Sequence, residues 1–243
     1  MYILIGSCRL YQPFLDFSNK REYLINPLGI VSGAPETIQS LNYILGENSI
    51  DLNSFSESEI KRYFKKTTNR GRISKLIFGP EVDVSRPTNL SDYNCLVLEL
   101  SSLKYISLKN HKGIEFYSFM PAEGAKNAGG ATSYSELSVE EFKCKLAQIS
   151  ELADSLKWKI IISVPHNLHN IKKRELLREM VIQWAKEKHY GLLDYDEIAK
   201  TYFNGVDAEV FLPSEIDSGR YIRHTKKFYR IVSERIDELV REN

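Results

Sequence analysis

Tyr2-Ile3-Leu4-Ile5-Gly6-Ser7-Cys8-Arg9-Leu10 carries four apolar residues into a glycine, then two nucleophile-capable side chains, then an arginine. A short, uninterrupted apolar run reads as a strand buried on both faces, as in the middle of a parallel sheet. Gly6 lets the backbone turn sharply where that strand ends. Open α/β sheets bind ligands at the carboxyl ends of their strands. The Ser7 hydroxyl and the Cys8 thiol are therefore expected where such folds do chemistry. Taken alone, Gly-Ser-Cys is also an ordinary turn after a strand.

The same apolar signature returns at Cys95-Leu96-Val97-Leu98-Glu99-Leu100, which ends at Ser101-Ser102. It returns again at 159–164, before Pro165-His166-Asn167, and more briefly at 191–195. Between these runs the periodicity is helical. Pro35 suits a first helical turn, and Ile38, Leu41 and Leu45 give that helix an apolar face. Ser138-Val139-Glu140-Glu141 is close to a capping box and opens a stripe of Phe142, Leu146, Ile149 and Leu152. Helices are expected near 35–45, 138–156, 171–189 and 225–241, with a short one at 198–203 and a loop at 213–224. Such alternation predicts a parallel sheet covered by helices on both faces. Apolar runs at 105–108 and 114–119 flank Asn110-His111-Lys112-Gly113 and predict a hairpin. Residues 122–135, rich in glycine, alanine and serine, show no period and read as a surface loop. One domain over 1–243 with a β-rich insertion at about 101–135 is the simplest account.

The chain has 243 residues, a formal net charge of +1, and 27% charged residues. That balance gives no global reason to expect nucleic acid or acidic membranes as partners. No apolar run approaches a membrane span, and Met1 leads directly into the first strand, so a cytoplasmic location is expected. Cys8, Cys95 and Cys144 are widely spaced and odd in number, which suits no disulfide framework. No Cys-x-x-Cys or His-x-x-x-His pair suggests a metal. Ser56-Glu57-Ser58-Glu59 opens a capped helix toward Ile60, Tyr63 and Phe64. Its basic end, continuing to Arg72, is either a solvated face or a dock for an anion such as phosphate.

Taken in order, these segments resemble the GSCFA family of the SGNH/GDSL hydrolase superfamily. The resemblance is carried by Gly6-Ser7-Cys8, with Arg9-Leu10 in place of the family's Phe-Ala. It continues at Asn26-Pro27-Leu28-Gly29-Ile30, the strand 96–100, Ile160-Ile161-Ile162-Ser163-Val164-Pro165, Tyr195-Asp196-Glu197-Ile198, and His224 ahead of the last helix. It implies a flavodoxin-like, three-layer α/β/α fold and ester or acyl-transfer chemistry. A related capsule-polysaccharide acetyltransferase family has Gly-Asn-Cys at the first position. That likeness makes a coenzyme A thioester a possible acyl donor, with no other cofactor required.

Aligned on the glycine of the superfamily's Gly-Asp-Ser, the third residue here is Cys8. A thiol at the start of a turn or helix has its pKa lowered by backbone amides, which favours Cys8 over Ser7 as nucleophile. Ser7 then supports the turn, and remains the alternative. His224 is the candidate base. The superfamily's Asp-x-x-His has Tyr221 at its first position here, so Asp217, a backbone carbonyl, or nothing at all would orient the ring. Oxyanion donors are expected from the amides of Cys8, Gly29 or Gly33 and from the Ser101-Ser102 strand end, where the superfamily's Gly-x-Asn-Asp block is absent. Arg9, Arg220 and Arg223 are either clamps for a carboxylate or phosphate or rim charges. His166 and Asn167 lie at another strand end, within reach of substrate.

The expectation is an enzyme that hydrolyses or transfers an acyl group, acetyl by preference, on a carbohydrate of a bacterial surface or capsular polymer. The alternative is a non-catalytic carbohydrate-binding or scaffold protein on a degenerate version of the same fold. Oligomeric state is not legible.

Overall fold

The computed structural model describes residues 1–7, 9–10, 13, 23–26, 28, 31–47, 50–59, 89–117, 133–167, 171–214 and 224–242. In chain order the elements are β1 (Tyr2–Ile5), β2 (Tyr23–Ile25), α1 (Ala34–Leu45), β3 (Cys95–Glu99), β4 (Lys104–Lys109), β5 (Glu115–Tyr117) and β6 (Ser133–Glu136). There follow α2 (Val139–Ser155), β7 (Lys159–Val164), α3 (Lys172–Glu187), β8 (Gly191–Asp194), α4 (Tyr195–Phe203), α5 (Asp207–Val210) and α6 (Lys226–Arg241).

The main sheet has the order β2-β1-β3-β7-β8, and every pair is parallel. Counted along the chain, that is the 2-1-3-4-5 order of flavodoxin-like folds. Side chains alternate between the two faces of a strand. Ile3, Ile5, Leu96, Leu98, Ile160 and Ile162 all join the core formed with α1, α2 and α3. Their neighbours Leu4, Val97 and Ile161 join the core formed with α4, α5 and α6. Ile3, Leu4 and Ile5 are fully buried, each stabilising the fold by roughly 1.5–3 kcal/mol relative to exposure. This is why the strands carry no polar alternation: both faces meet helices.

The expected hairpin is β4 with β5, joined antiparallel from Ser107↔Tyr117 to Lys109↔Glu115. Asn110 makes its turn, with its side-chain oxygen accepting from the amides of Lys112 and Ile114, both at 2.9 Å. A third strand, β6, pairs with the other edge of β4. It includes residues 133–135, where composition alone predicts a loop. Pairing with β4 supplies order that composition did not signal. Ser138 and Glu141 form the expected capping box of α2. The helix α4 starts three residues earlier than periodicity suggests, because Asp194 accepts from the amides of Asp196 and Glu197 and caps it there. The continuation of the helix after Ser56, and the basic patch beyond it, lie outside the described residues.

The strand order reverses between β1 and β3, and the crevice at their carboxyl ends is where such folds place ligands. Gly6 sits at that point. A Cβ there would lie 2.7 Å from Glu99 Cβ and 2.8 Å from Leu10 Cδ2. Gly6→Ala is therefore expected to cost about 1–3 kcal/mol by overpacking. Denaturant unfolding checks this, and an unchanged midpoint would show that the turn has more room than the structure gives it.

Candidate active site at the carboxyl edge of the sheet

The turn after β1 is fixed by Asn26. Its side-chain oxygen accepts from the Gly6 amide at 2.8 Å, and its side-chain nitrogen donates to the Gly6 carbonyl at 2.9 Å. Asn26 is fully buried and holds a positive φ of 42°, which asparagine tolerates better than most residues. Ser7 follows. Its hydroxyl donates to Glu99 Oε1 at 2.6 Å and accepts from the Arg9 amide at 3.3 Å. The Arg9 guanidinium reaches the same Glu99 oxygen at 3.4 Å. Glu99 ends β3 and is 1% exposed; its second oxygen is buried with no partner among the described residues. A carboxylate buried this deeply requires the charge-assisted bonds it receives.

Two strands away, β7 ends at Val164, and His166 follows. Its Nδ1 lies 2.5 Å from Asp196 Oδ1. The other Asp196 oxygen meets Arg178 Nη1 at 3.1 Å. Arg178 also forms a two-pronged bridge to Asp194, at 3.0 and 2.9 Å, and donates to the Pro165 carbonyl at 3.2 Å. One guanidinium thus ties the ends of β7, β8 and α4 together. Burial alone would raise the Asp196 carboxyl, but the His166 bond and the charges of His166 and Arg178 hold it below the ordinary carboxylate value.

His224 precedes α6 and packs into an aromatic cage. Its ring stacks on Phe228 at 4.6 Å, with Phe211 at 5.1 Å, His166 at 5.2 Å and Tyr195 at 5.5 Å. The residue is 3% exposed, and neither ring nitrogen has a partner among the described residues. Burial, then the nearby His166 and Arg9, push its imidazole well below the ordinary histidine value. The Tyr195 hydroxyl donates to the Arg9 carbonyl at 3.2 Å, so the cage touches the β1 turn directly. Burial and the nearby Glu99 raise the Tyr195 phenol, which stays a proton donor.

Of the residues singled out from sequence, Arg9, His166 and His224 meet Tyr195, and Ser7 joins Arg9 at Glu99. Cys8, Gly29, Asp217, Arg220 and Arg223 lie outside the described residues. Gly33 and Ser102 are neighbours, joined by an isolated parallel bridge. The amides of Ser101 and Ser102 both donate to the Ser32 carbonyl at 2.9 Å, so neither is unpaired. Asn167 donates to Glu175 at 2.7 Å and accepts from the Ile171 amide at 3.3 Å, at the rim rather than inside. Arg9, Ser101, His166, Asn167, Arg174 and Arg178 line a cleft of about 50 Å³. Among the described residues no cluster of three or more metal-ligating side chains occurs, and no helix is long and apolar enough to cross a membrane.

Sequence reasoning missed Asn26 as the clamp, Glu99 as the carboxylate behind Ser7, and Asp196 as the partner of His166. The one available signal was a glutamate inside a run otherwise read as buried on both faces.

No family model matches the chain, and no curated protein matches it. Among solved structures it is similar to a candidate lipolytic protein of the G-D-S-L family from Desulfitobacterium hafniense DCB-2. The identity is 13%, the TM-score 0.41, and the match covers 98% of each chain. A likeness of that degree bears on neither substrate nor site. The three-layer arrangement is read from the strand order itself.

His224 gives a pH-dependent signature. Its folded value lies below the ordinary 6.5, so between the two values the unfolded chain binds the extra proton. Stability therefore falls as pH drops below about 6.5. Glu36, raised by burial to about 7, acts in the opposite direction, and it is common to both proteins in a wild-type against His224→Phe comparison. The unfolding free-energy difference between the two should shift in favour of His224→Phe from pH 7 to pH 5. A difference independent of pH would contradict a ring held neutral.

Proposed function

We propose that the protein is an acyl-ester hydrolase or O-acyltransferase, acting on an acetyl or similar acyl group carried by a carbohydrate of a bacterial surface or capsular polysaccharide. One observation carries this reading. The turn after the first strand and the histidine before the last helix meet, through Tyr195, at the carboxyl edge of a parallel sheet. That edge is where such sheets bind ligands. A nucleophile beside an imidazole is the minimal equipment for acyl transfer. The sequence resemblance to the GSCFA family supplies the reaction class, and the likeness to the related capsule-polysaccharide acetyltransferases supplies the surface-carbohydrate substrate.

In this reading Cys8 attacks the acyl carbonyl, with Ser7 as the alternative nucleophile. The Ser7 hydroxyl already donates to Glu99, which suits a turn-holding role better than attack. The imidazole of His224, or of His166 packed against it, takes the proton, and Asp217 is the proposed orienter for His224. Amides of Cys8, Gly29 and Gly33 are the proposed oxyanion donors. Arg9, Arg220 and Arg223 are the proposed contacts for an anionic substrate, including a coenzyme A thioester in the transferase form of the reaction. The cytoplasm is the proposed location.

A second reading, a non-catalytic carbohydrate binder, is favoured by the small cleft and by the enclosure of His224. Turnover separates the two. With p-nitrophenyl acetate and acetylated sugars as substrates, the wild type should release acetate. Cys8→Ala should abolish that release, while Ser7→Ala should weaken it less. Full turnover in Cys8→Ala would pass the nucleophile's role to Ser7. Sugar binding without any acetate release from the wild type would leave the binder.

A further inference from the structure

We infer that His166, with its Nδ1 fixed on Asp196, is the imidazole that exchanges the proton in this site, and that Asp196 and Arg178 are its positioning residues. The inference rests on the acyl-transfer reading above and names the base within it. Three observations carry it. First, the ring is anchored. A neutral histidine bonded to a carboxylate through Nδ1 carries its hydrogen there and leaves a lone pair on Nε2. That is the tautomer a general base requires. His224 has no such anchor among the described residues. Second, the anchor is itself held. Asp196 gives one oxygen to His166 and the other to Arg178, which is fastened to Asp194 and to the Pro165 carbonyl beside His166. The ring's orientation is thus set by three elements of the fold. Third, His166 Nε2 is buried without a partner among the described residues, while the residue borders the same cleft as Arg9. A buried acceptor without a partner is costly, and one that persists calls for an explanation such as a catalytic role.

Among the described residues, the charged and titratable groups facing His166 or its cleft are Asp196 and Tyr195 on α4, Arg178 and Arg174 on α3, Arg9 after β1 and His224 before α6. Among the described residues, only Asp196 offers a full negative charge to the imidazolium at hydrogen-bond distance. Two rings 5.2 Å apart in an apolar cage disfavour a second positive charge, so His224 stays neutral while His166 accepts the proton.

The steps balance. The nucleophile's proton passes to His166 Nε2 as its sulfur or oxygen bonds to the acyl carbon. The tetrahedral intermediate expels the alcohol oxygen, which takes that proton. Water, or an acceptor sugar hydroxyl, then gives its own proton to Nε2 and attacks the acyl-enzyme. The enzyme's nucleophile leaves and regains the proton. The net change with water is ester to acid and alcohol.

The test combines kinetics with nitrogen-15 NMR of the imidazoles, using wild type, His166→Gln, Asp196→Asn and His224→Phe on p-nitrophenyl acetate. His166→Gln should lower kcat roughly 10²–10⁴-fold with KM little changed. Asp196→Asn removes the charge that favours the imidazolium, so the acidic limb of kcat/KM should move to lower pH. In the wild type the His166 spectrum should show the Nδ1–H tautomer, a readout that needs no folded variant. A His166→Gln enzyme within threefold of wild type, beside a 10²-fold loss in His224→Phe, would overturn the inference and keep the acyl-transfer reading. The Nε2–H tautomer would also overturn it. An inactive wild type would instead remove that reading, and this assignment with it.

Discussion

Two hydrogen bonds from one buried amide hold the working edge of this molecule together. Asn26, at the end of β2, takes both backbone groups of Gly6 at the end of β1. Loss of that side chain would strand the buried Gly6 amide, at about 1–3 kcal/mol, and leave the Gly6 carbonyl only the longer 3.4 Å bond from the Val31 amide. The clamp makes the chain turn immediately after Ile5, which brings Ser7 onto Glu99 and directs the following helical turn under the sheet. Glycine is required because the Glu99 and Leu10 side chains pass so close. The sharp turn, the buried carboxylate and the absence of a side chain at position 6 are one arrangement seen from three residues.

Electrostatics then divide the edge in two. Near β1, one buried carboxylate is shared by a hydroxyl and a guanidinium. Near β7 and β8, two carboxylates and one guanidinium surround an imidazole. Between them stands an apolar cage of Tyr195, Phe211 and Phe228 around His224. Low polarity in the cage strengthens every charged contact at its border and makes a second charge inside it unfavourable.

The architecture was legible because burial on both faces writes itself as uninterrupted apolar runs. Tyr2 to Ile5, Cys95 to Leu98 and Ile160 to Val164 each announce a central strand, and capping at Ser138 announces α2. At the candidate site the local motifs pointed to Ser7, Arg9, His166 and His224, which the structure places along one edge of the sheet. Asp196 escaped because its partner lies 30 residues earlier and nothing local marks the pair. Glu99 escaped because an apolar run absorbed it, although a charge within a doubly buried strand is itself a signal of a partner. β6 escaped because its order comes from pairing with β4, a contact that no local period records.

The central claim is that the turn after β1 receives an acyl group. Its most direct test is mass spectrometry of peptides from protein quenched during turnover of p-nitrophenyl acetate. The account predicts one acetyl group on the peptide containing Ser7 and Cys8, lost as hydrolysis proceeds and absent when both residues are replaced by alanine. Acetylation confined to surface lysines, with that peptide unmodified throughout turnover, would contradict it.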